Sequence, residues 1–258
     1  MTDPRIRLAF EGPVATITLA RAEKLNALDM AMIEALHAAA LAIEARHETR
    51  AAILTGEGKA FCAGGDIAVW GGIAPIEMWR TWTRAGHRAF DALARLRIPL
   101  IAVLSGHAFG GGLELAATAD FMIAERHVRL GLPETGLGMV PGWSGTQRLT
   151  RRFGSRIVKR MALGGEMLMA DQALALDVVD ELAETGAGLA AGLALAQRIA
   201  ARGPIAVQIA KQMINAAEGE EQAAAIETLA GSLTAYTDDL AEGVVAFKEK
   251  RAALFGNA

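Results

Sequence analysis

Two acids in apolar, glycine-rich surroundings are the residues of this chain best suited to chemistry. Glu114 follows three consecutive glycines in GHAFGGGLELA, residues 106–116, and Glu134 follows Pro133 in LPETGLGMVPGWSGTQRL, residues 132–149. A carboxyl group among apolar neighbours has a raised pKa, and a second carboxylate nearby raises the pKa of one of the pair further. Such a pair suits general acid–base chemistry on a bound water molecule. The alternative for Glu134 is a solvated acid on a surface loop.

Glycine-rich loops beside these acids predict backbone amides that a ligand can approach. A helix that begins near Gly112 leaves the N–H groups of its first turn without partners, and they suit an oxygen that gains negative charge. A second loop, KAFCAGGDI at residues 59–67, offers another amide at Gly65, and Asp66 is expected to cap the following helix. The alternative for the first loop is a tight turn whose acid merely complements the helix dipole.

Other reactive side chains give weaker signals. The five histidines lack the spacing of metal ligands, so no metal site is expected. Cys62 is expected to be a small buried residue rather than a nucleophile. Arg148, Arg152, Arg156 and Arg160 recur every four residues and predict a basic stripe on a helix. A solvated face or a subunit contact is favoured for this stripe over a site for cofactor phosphates or RNA.

The pattern along the chain predicts a mixed α/β framework followed by an all-helical tail. Apolar periodicity indicates a helix over 30–46 after Asp29, a helix over 112–118, and a helix that Pro75 opens, with Trp79, Trp82, Phe90 and Leu93 on its apolar side. Strand signals nearly vanish after Gly154. The predicted strands span 5–10, 13–19, 51–55, 100–104 and 121–124.

Composition excludes several classes of protein. The chain has 258 residues, of which 52% are hydrophobic, a net charge of −3 and one cysteine. This indicates a folded protein with a large core, no disulfide, and no general attraction to nucleic acid or anionic membranes. The first residues contain no apolar signal segment, and no run suits a membrane span. We therefore expect a soluble, cytoplasmic protein.

Five stretches, in order, resemble the motifs of the crotonase superfamily, the enoyl-CoA hydratase/isomerase family. They are RAEKLNALD (21–29), FCAGGDI (61–67), GHAFGGGLELAATAD (106–120), LPETGLGMVPGWSGTQRL (132–149) and TDDLAEGVVAFKEKRAALF (237–255). The resemblance implies an α/β fold, a crotonase-like spiral of ββα repeats over residues 1–190, with the active site. It also implies an α-helical trimerisation region over 191–258, so that the chain forms a homotrimer or homohexamer.

The resemblance implies an enzyme that adds water across the C2=C3 bond of a trans-2-enoyl-CoA, with a short-to-medium or unusual acyl chain. The amides of Gly65 and Gly111 would form the oxyanion hole, and Glu114 and Glu134 would hold the water. The coenzyme A thioester is the substrate, so no cofactor is expected. Contacts to the acyl-CoA are expected at Lys24, Ala27, Ala63, Asp66, Ile67, Trp70, Gly110, Pro133, Gly142, Trp143, Phe247 and Lys250.

The chain also departs from the family pattern. Ala68 stands where relatives often have a lysine on the CoA phosphates, so phosphate contacts are expected from Lys24 or from basic residues of 248–251, some on a neighbouring subunit. Trp143 and Trp70 either narrow the acyl pocket or simply pack in the core. Asp177 replaces a glycine, and aspartate tolerates a left-handed backbone.

Alternatives within the family are a double-bond isomerase, dehydratase, lyase or thioester hydrolase. A non-catalytic RNA- or partner-binding member is a further alternative.

Overall fold

Short apolar runs form two sheets within residues 3–256, which the computed structural model describes. The strands are β1 (Ile6–Glu11), β2 (Val14–Leu19), β3 (Ala51–Gly56), β4 (Ala60–Cys62), β5 (Leu100–Leu104), β6 (His107–Phe109), β7 (Phe121–Glu125), β8 (Arg129–Gly131), β9 (Leu168–Met169) and β10 (Glu181–Ala183). The larger sheet has the order β1-β2-β3-β5-β7-β10, and the smaller has the order β4-β6-β8-β9. In the larger sheet, β1 and β2 pair antiparallel and the remaining pairs are parallel.

Helices connect and cover these strands. They are α1 (Met30–Ala45), α2 (Ile67–Trp70), α3 (Pro75–Glu77), α4 (Arg84–Ala94), α5 (Gly111–Ala116), α6 (Arg148–Phe153), α7 (Ser155–Ala162), α8 (Ala170–Ala175), α9 (Gly188–Ala200), α10 (Pro204–Ala217), α11 (Gln222–Thr234) and α12 (Asp238–Glu249). Asp29 caps α1 by accepting a hydrogen bond from the amide of Met32 at 3.1 Å. The predicted start of this helix is thereby confirmed.

The larger sheet is covered by helices on both faces. Every residue of β3 and β5 is buried, as expected for parallel strands between two layers. Side chains alternate along β3, so Leu54 joins the core cluster that contains α1 and α4, whereas Ile53 joins a second cluster with Ala196 of α9. The sheet therefore separates two apolar layers.

The smaller sheet brings three loops to one edge. Its strands β4, β6 and β8 are parallel neighbours, so their carboxyl ends lie side by side. Gly65 follows β4, Gly111 follows β6, and Glu134 follows β8 within a 3₁₀ turn, Glu134–Leu137. In parallel sheets, ligands bind beyond the carboxyl ends of the strands. The topology thus gathers residues that are far apart in the sequence.

The segment after Pro75 differs from the regular helix that the sequence predicts. A π-helical turn, Met78–Thr83, separates α3 from α4. Trp82, Phe90 and Leu93 are buried, but the Trp79 side chain is 60% exposed. The wider turn interrupts the 3.6-residue period, so the expectation that Trp79 shares the buried side is wrong.

The remainder of the chain is largely helical, with two strands that the sequence pattern did not predict, β9 and β10. Asp177 has a φ of +55°, which is the left-handed backbone expected there. No helix within residues 3–256 combines the length and apolar character needed to cross a membrane.

The chain divides into two compact units, one up to Gln208 and one from Ile209 on. Helix α9 packs on the larger sheet through Ala196 and belongs to the first unit. The boundary between the two compact units lies within α10, between Gln208 and Ile209. The second unit consists of the end of α10 and helices α11 and α12.

Candidate active site

A cavity of about 480 Å³ lies at the edge where β4, β6 and β8 end. This volume is within the range of small-molecule sites. The cavity brings together all four of the predicted catalytic and oxyanion residues: Gly65, Gly111, Glu114 and Glu134. Three of the predicted contact residues also line it: Trp70, Gly142 and Trp143.

Glu114 is buried in the first turn of α5 and is held by backbone amides. Its Oε1 accepts hydrogen bonds from the N–H groups of Trp143 at 2.8 Å and Gly145 at 2.6 Å. Glu114 is only 2% exposed to solvent. Burial is the main cause that raises the pKa of Glu114 to about 7, and the charge of Glu134 raises it further, while the amide hydrogen bonds oppose the rise. The carboxyl group therefore exchanges a proton near neutral pH.

Glu134 faces the cavity from the turn after β8. Neither of its buried carboxylate oxygens has a hydrogen-bond partner among residues 3–256. A β-carbon placed on Gly110 would lie 2.8 Å from Glu134 Oε1, so the carboxylate lies directly over this glycine. Burial raises the pKa of Glu134 above its ordinary value. An acid without fixed partners is available to a ligand or water molecule.

Gly65 lies in a loop that is paired with the chain at Leu28. Leu28 donates to the carbonyl of Gly64 at 2.8 Å and accepts from the amide of Asp66 at 2.8 Å. In a parallel bridge of this kind, the N–H of the middle residue points away from the partner. The Gly65 N–H makes no hydrogen bond within the described part of the chain. It is therefore a free donor in the cavity wall.

Gly111 is the first residue of α5 and approaches the first loop closely. A β-carbon on Gly64 would lie 3.2 Å from the Gly111 nitrogen, so the two glycine loops are in contact. The amides of Leu113 and Glu114 donate to the Gly110 carbonyl, whereas the Gly111 N–H has no hydrogen-bond acceptor among the described residues. A helix lacks internal acceptors for its first N–H groups, so this donor is left for a ligand.

Trp143 forms one wall of the cavity and also packs in the core. It is 3% exposed, and its ring centroid lies 5.2 Å from that of Trp82 and 5.3 Å from that of Phe90. A β-carbon on Gly111 would lie 2.8 Å from the indole Cε3 and Cζ3 atoms. The half-buried Trp70 donates from Nε1 to the Gly65 carbonyl at 3.2 Å. Trp143 therefore packs in the core and also lines the cavity.

The remaining predicted contact residues lie outside the cavity lining. Asp66 caps α2 and forms an ion pair with Arg21 at 3.0 Å, which gives it a structural role. Phe247 and Lys250 belong to the second unit, at the end of α12 and just beyond it. The others are Lys24 on an exposed 3₁₀ turn, Ala27, Ala63, the exposed Ile67, Gly110 and Pro133.

Sequence reasoning missed a polar group in the cavity wall. His87, Ser144 and Gln147 line the cavity, and His87 Nδ1 lies 3.1 Å from Ser144 Oγ. His87 is 57 positions from Ser144, so no local motif connects them. The signal that was available is the position of Ser144, within the same loop as Trp143.

The predicted basic stripe is not one continuous helix face. Gly154 separates α6 from α7, with a φ of +80°. Arg148 pairs with Asp91 at 2.7 Å, and Arg160 pairs with Glu166 at 2.6 Å. Arg152 donates to the carbonyls of Ala117 and Ala119 after α5. These arginines hold the fold together, which weakens the RNA-binding alternative.

Cys62 is buried, and burial raises the pKa of its thiol to about 12. It is therefore an inert thiol, as expected from the sequence.

Comparison with known proteins identifies the family of this chain. The family model of enoyl-CoA hydratase/isomerase matches residues 9–258. The chain is 36% identical over 247 residues to the short-chain-enoyl-CoA hydratase of Clostridium acetobutylicum, covering 95% of this chain and 94% of that protein. It is 34% identical over 260 residues to the crotonyl-CoA hydratase of Syntrophomonas wolfei, covering 99% of both chains.

Solved structures share the fold. DspI of Pseudomonas aeruginosa superimposes with a TM-score of 0.84 at 30% identity, covering 99% of this chain and 98% of that one. The chain is therefore an enzyme with the crotonase fold and belongs to the enoyl-CoA hydratase/isomerase family.

Proposed function

We propose that the protein adds water across the C2=C3 bond of a trans-2-enoyl-CoA, without a resident cofactor. The observation that carries the proposal is that two free glycine amides line one cavity with the buried Glu114 and the half-buried Glu134. The names of two relatives, a short-chain-enoyl-CoA hydratase and a crotonyl-CoA hydratase, point to the same reaction.

In this mechanism the thioester oxygen accepts hydrogen bonds from the N–H groups of Gly65 and Gly111. Attack of water at C3 moves the alkene electrons toward the thioester, and the oxygen gains negative charge. Donors that are already aimed at this oxygen need no reorganisation, and the loss of one such donor typically lowers the rate by about 10²–10³-fold.

The two glutamates hold the attacking water and manage its protons. One carboxylate takes a proton from the water while the oxygen bonds to C3, and C2 then receives a proton, so that the sum is one added water. The pKa of Glu114, at about 7, allows both protonation states at neutral pH. The glutamates thus differ from solvated acids, which stay ionised near neutrality.

We also propose that the chain works as a homotrimer or homohexamer. Large apolar side chains are exposed on the helices of the second unit and on the turn between α11 and α12: Ile209, Met213, Ile214, Ile226, Leu233, Tyr236 and Phe247. Exposed apolar patches of this kind mark interfaces between subunits. Sedimentation of the full chain should give a mass of three or six protomers, and a stable, active monomer would contradict this part of the proposal.

The test of the reaction is to mix the protein with crotonyl-CoA and follow the loss of the conjugated-enoyl absorbance. Mass spectrometry of the product should show the gain of one water. A product of unchanged mass with a shifted double bond would instead indicate an isomerase, and free coenzyme A would indicate a thioester hydrolase.

The matched variants are Glu114→Gln, Glu134→Gln and the double substitution, with Glu181→Gln as the control on an exposed strand residue. Each site variant should lose about 10²–10⁴-fold in kcat, the range that a positioned acid or base contributes. The control should keep its activity. Normal turnover by the double variant would end the hydration proposal.

A further inference from the structure

A polar cluster in the cavity wall has no part in the hydration chemistry proposed above. Ser144 Oγ lies 3.1 Å from His87 Nδ1 and accepts a hydrogen bond from Gln147 Nε2 at 3.3 Å. All three residues line the cavity, whose wall is otherwise largely apolar. A few polar groups in an apolar pocket fix the orientation of the ligand.

The position of Ser144 is fixed by the backbone. Ser144 has a φ of +82°, in the left-handed region that favours glycine, and it is buried. The residues on either side of it, Trp143 and Gly145, donate to Glu114 Oε1. A serine in this strained conformation persists because its surroundings hold it. The backbone of Ser144 is therefore fixed beside that of two residues that bind Glu114, and Ser144 lines the same cavity.

The indole of Trp143 contacts both Gly111, whose amide is the proposed oxyanion donor, and the helix that carries His87. The six-membered ring lies against Gly111, where a β-carbon would be 2.8 Å from Cζ3. The pyrrole edge lies against Gly86 of α4, where a β-carbon would overlap Nε1. His87 is the next residue of α4. An acyl chain that starts at Gly111 and follows the indole therefore runs toward His87 and Ser144.

The tautomer of His87 decides which atom of the cluster can donate a hydrogen bond to a ligand. If neutral His87 carries its proton on Nδ1, it donates to Ser144 Oγ, and the serine O–H remains to be donated. If the proton is on Nε2, the serine donates to Nδ1, and the Nε2–H remains, since Nε2 has no partner within residues 3–256. Either arrangement leaves one donor that seeks an acceptor.

We propose that His87 and Ser144 bind an oxygen carried by the acyl chain beyond the reacting double bond. The inference rests on the proposed function and specifies its substrate as an oxygenated 2-enoyl-CoA, not one with a plain alkyl chain. A carboxylate and a keto oxygen share the required acceptor chemistry. Both residues are specificity-determining: a plain alkyl chain that covers the donor would remove its water without offering an acceptor, which is costly.

Saturated ligands test this recognition separately from catalysis, because they cannot be hydrated. Calorimetry should compare hexanoyl-CoA, 5-oxohexanoyl-CoA and the mono-CoA thioester of hexanedioic acid. We expect at least one oxygenated ligand to bind about tenfold more tightly than hexanoyl-CoA. Tighter binding of the diacid thioester would identify the recognised group as a carboxylate. Tighter binding of the 5-oxo ligand would identify it as a neutral oxygen. Equal affinity for all three ligands would overturn the inference.

Substitutions of Ser144 and His87 then test whether the preference for an oxygenated ligand depends on these two residues. Ser144→Gly removes the hydroxyl in a conformation that glycine adopts freely, and His87→Leu removes the ring nitrogens. In each variant, the affinity for the preferred oxygenated ligand divided by the affinity for hexanoyl-CoA should fall to about one. Ser155→Gly and His37→Leu, which lie outside the cavity lining, should keep the wild-type ratio. A ratio that survives in the double variant of Ser144 and His87 would refute their role.

The outcomes distinguish this inference from the hydration proposal. A protein that hydrates crotonyl-CoA but binds the three saturated ligands equally refutes only the oxygen recognition. A protein that prefers an oxygenated ligand but hydrates no enoyl-CoA refutes only the reaction.

Discussion

Glu114 and Glu134 line the same cavity, but the chain holds their carboxylates in different ways. Glu114 is anchored in the first turn of α5, and two amides from the loop at 143–145 bind one of its oxygens. Glu134 lies in a 3₁₀ turn at the end of a strand, and its oxygens have no hydrogen-bond partner among the described residues. Burial raises the pKa of both.

The difference shows how a site can combine orientation with adaptability. Two amide donors restrict the rotation of the Glu114 carboxylate, so that its second oxygen has a defined direction. Glu134 instead keeps both oxygens for a water molecule or substrate. A buried acid without partners costs stability, and functional sites commonly carry such costs.

The largest effect is expected when an added methyl group displaces one carboxylate. A β-carbon on Gly145 would lie 2.5 Å from Glu114 Oε1, and one on Gly110 would lie 2.8 Å from Glu134 Oε1. Gly145→Ala and Gly110→Ala should each lower kcat for crotonyl-CoA by about 10²–10⁴-fold, because a displaced acid no longer meets the water. Steady-state kinetics on both variants measures this.

The two alanine variants should differ in stability. Gly110 has a φ of +53°, whereas Gly145 does not require the left-handed region. Gly110→Ala should therefore lose additional stability, by about 1–2 kcal/mol, in urea denaturation. Gly136→Ala, where a β-carbon would meet no atom within 4 Å, is the matched control. Full activity in Gly145→Ala would show that the contact with Glu114 does not matter for the reaction.

Sequence patterns predicted the half of this site that is local. Gly110 to Glu114 are contiguous, so a glycine turn and a helix with an early acid could be predicted together, whereas the short strand β6 before them was not predicted. The donors to Glu114 could not, because Trp143 and Gly145 are 29 and 31 positions away. Only the tertiary fold brings such residues together.

Two interruptions of helices show where a periodic sequence pattern misleads the prediction of a helix face. The four-residue period of the arginines predicts one stripe, but Gly154 ends α6 and separates its arginines from those of α7. The π-helical turn likewise exposes Trp79, which the sequence pattern places on the buried side of the helix. Periodicity predicts a face only while the helix stays regular.

The raised pKa of Glu114 should make the stability of the protein depend on pH. The pKa of Glu114 is about 7 in the folded protein and near its ordinary value of 4.5 when unfolded. Between these values the unfolded chain releases a proton that the folded chain keeps, so the free energy of unfolding falls as pH rises. The fall should reach about 3 kcal/mol by pH 7 and then stop. Glu114→Gln should lack this component.

The measurement is urea denaturation of the wild type and of Glu114→Gln from pH 4.5 to pH 8. One protein concentration must be used throughout, because assembly also contributes to stability. Parallel stability profiles for the two proteins would contradict a raised pKa at Glu114. They would also remove the argument that this acid exchanges protons near neutrality.

The smallest expected effect is a gain of stability at the other acid. Glutamine at position 134 keeps the shape of glutamate but carries no charge, so its burial without partners costs less. Glu134→Gln should raise the free energy of unfolding at pH 8 by about 1 kcal/mol while activity is lost. The exposed control Glu181→Gln should change stability by less than about 0.5 kcal/mol. If Glu134→Gln were instead less stable, its carboxylate would have a stabilising partner in solution, and the contrast with the anchored Glu114 would disappear.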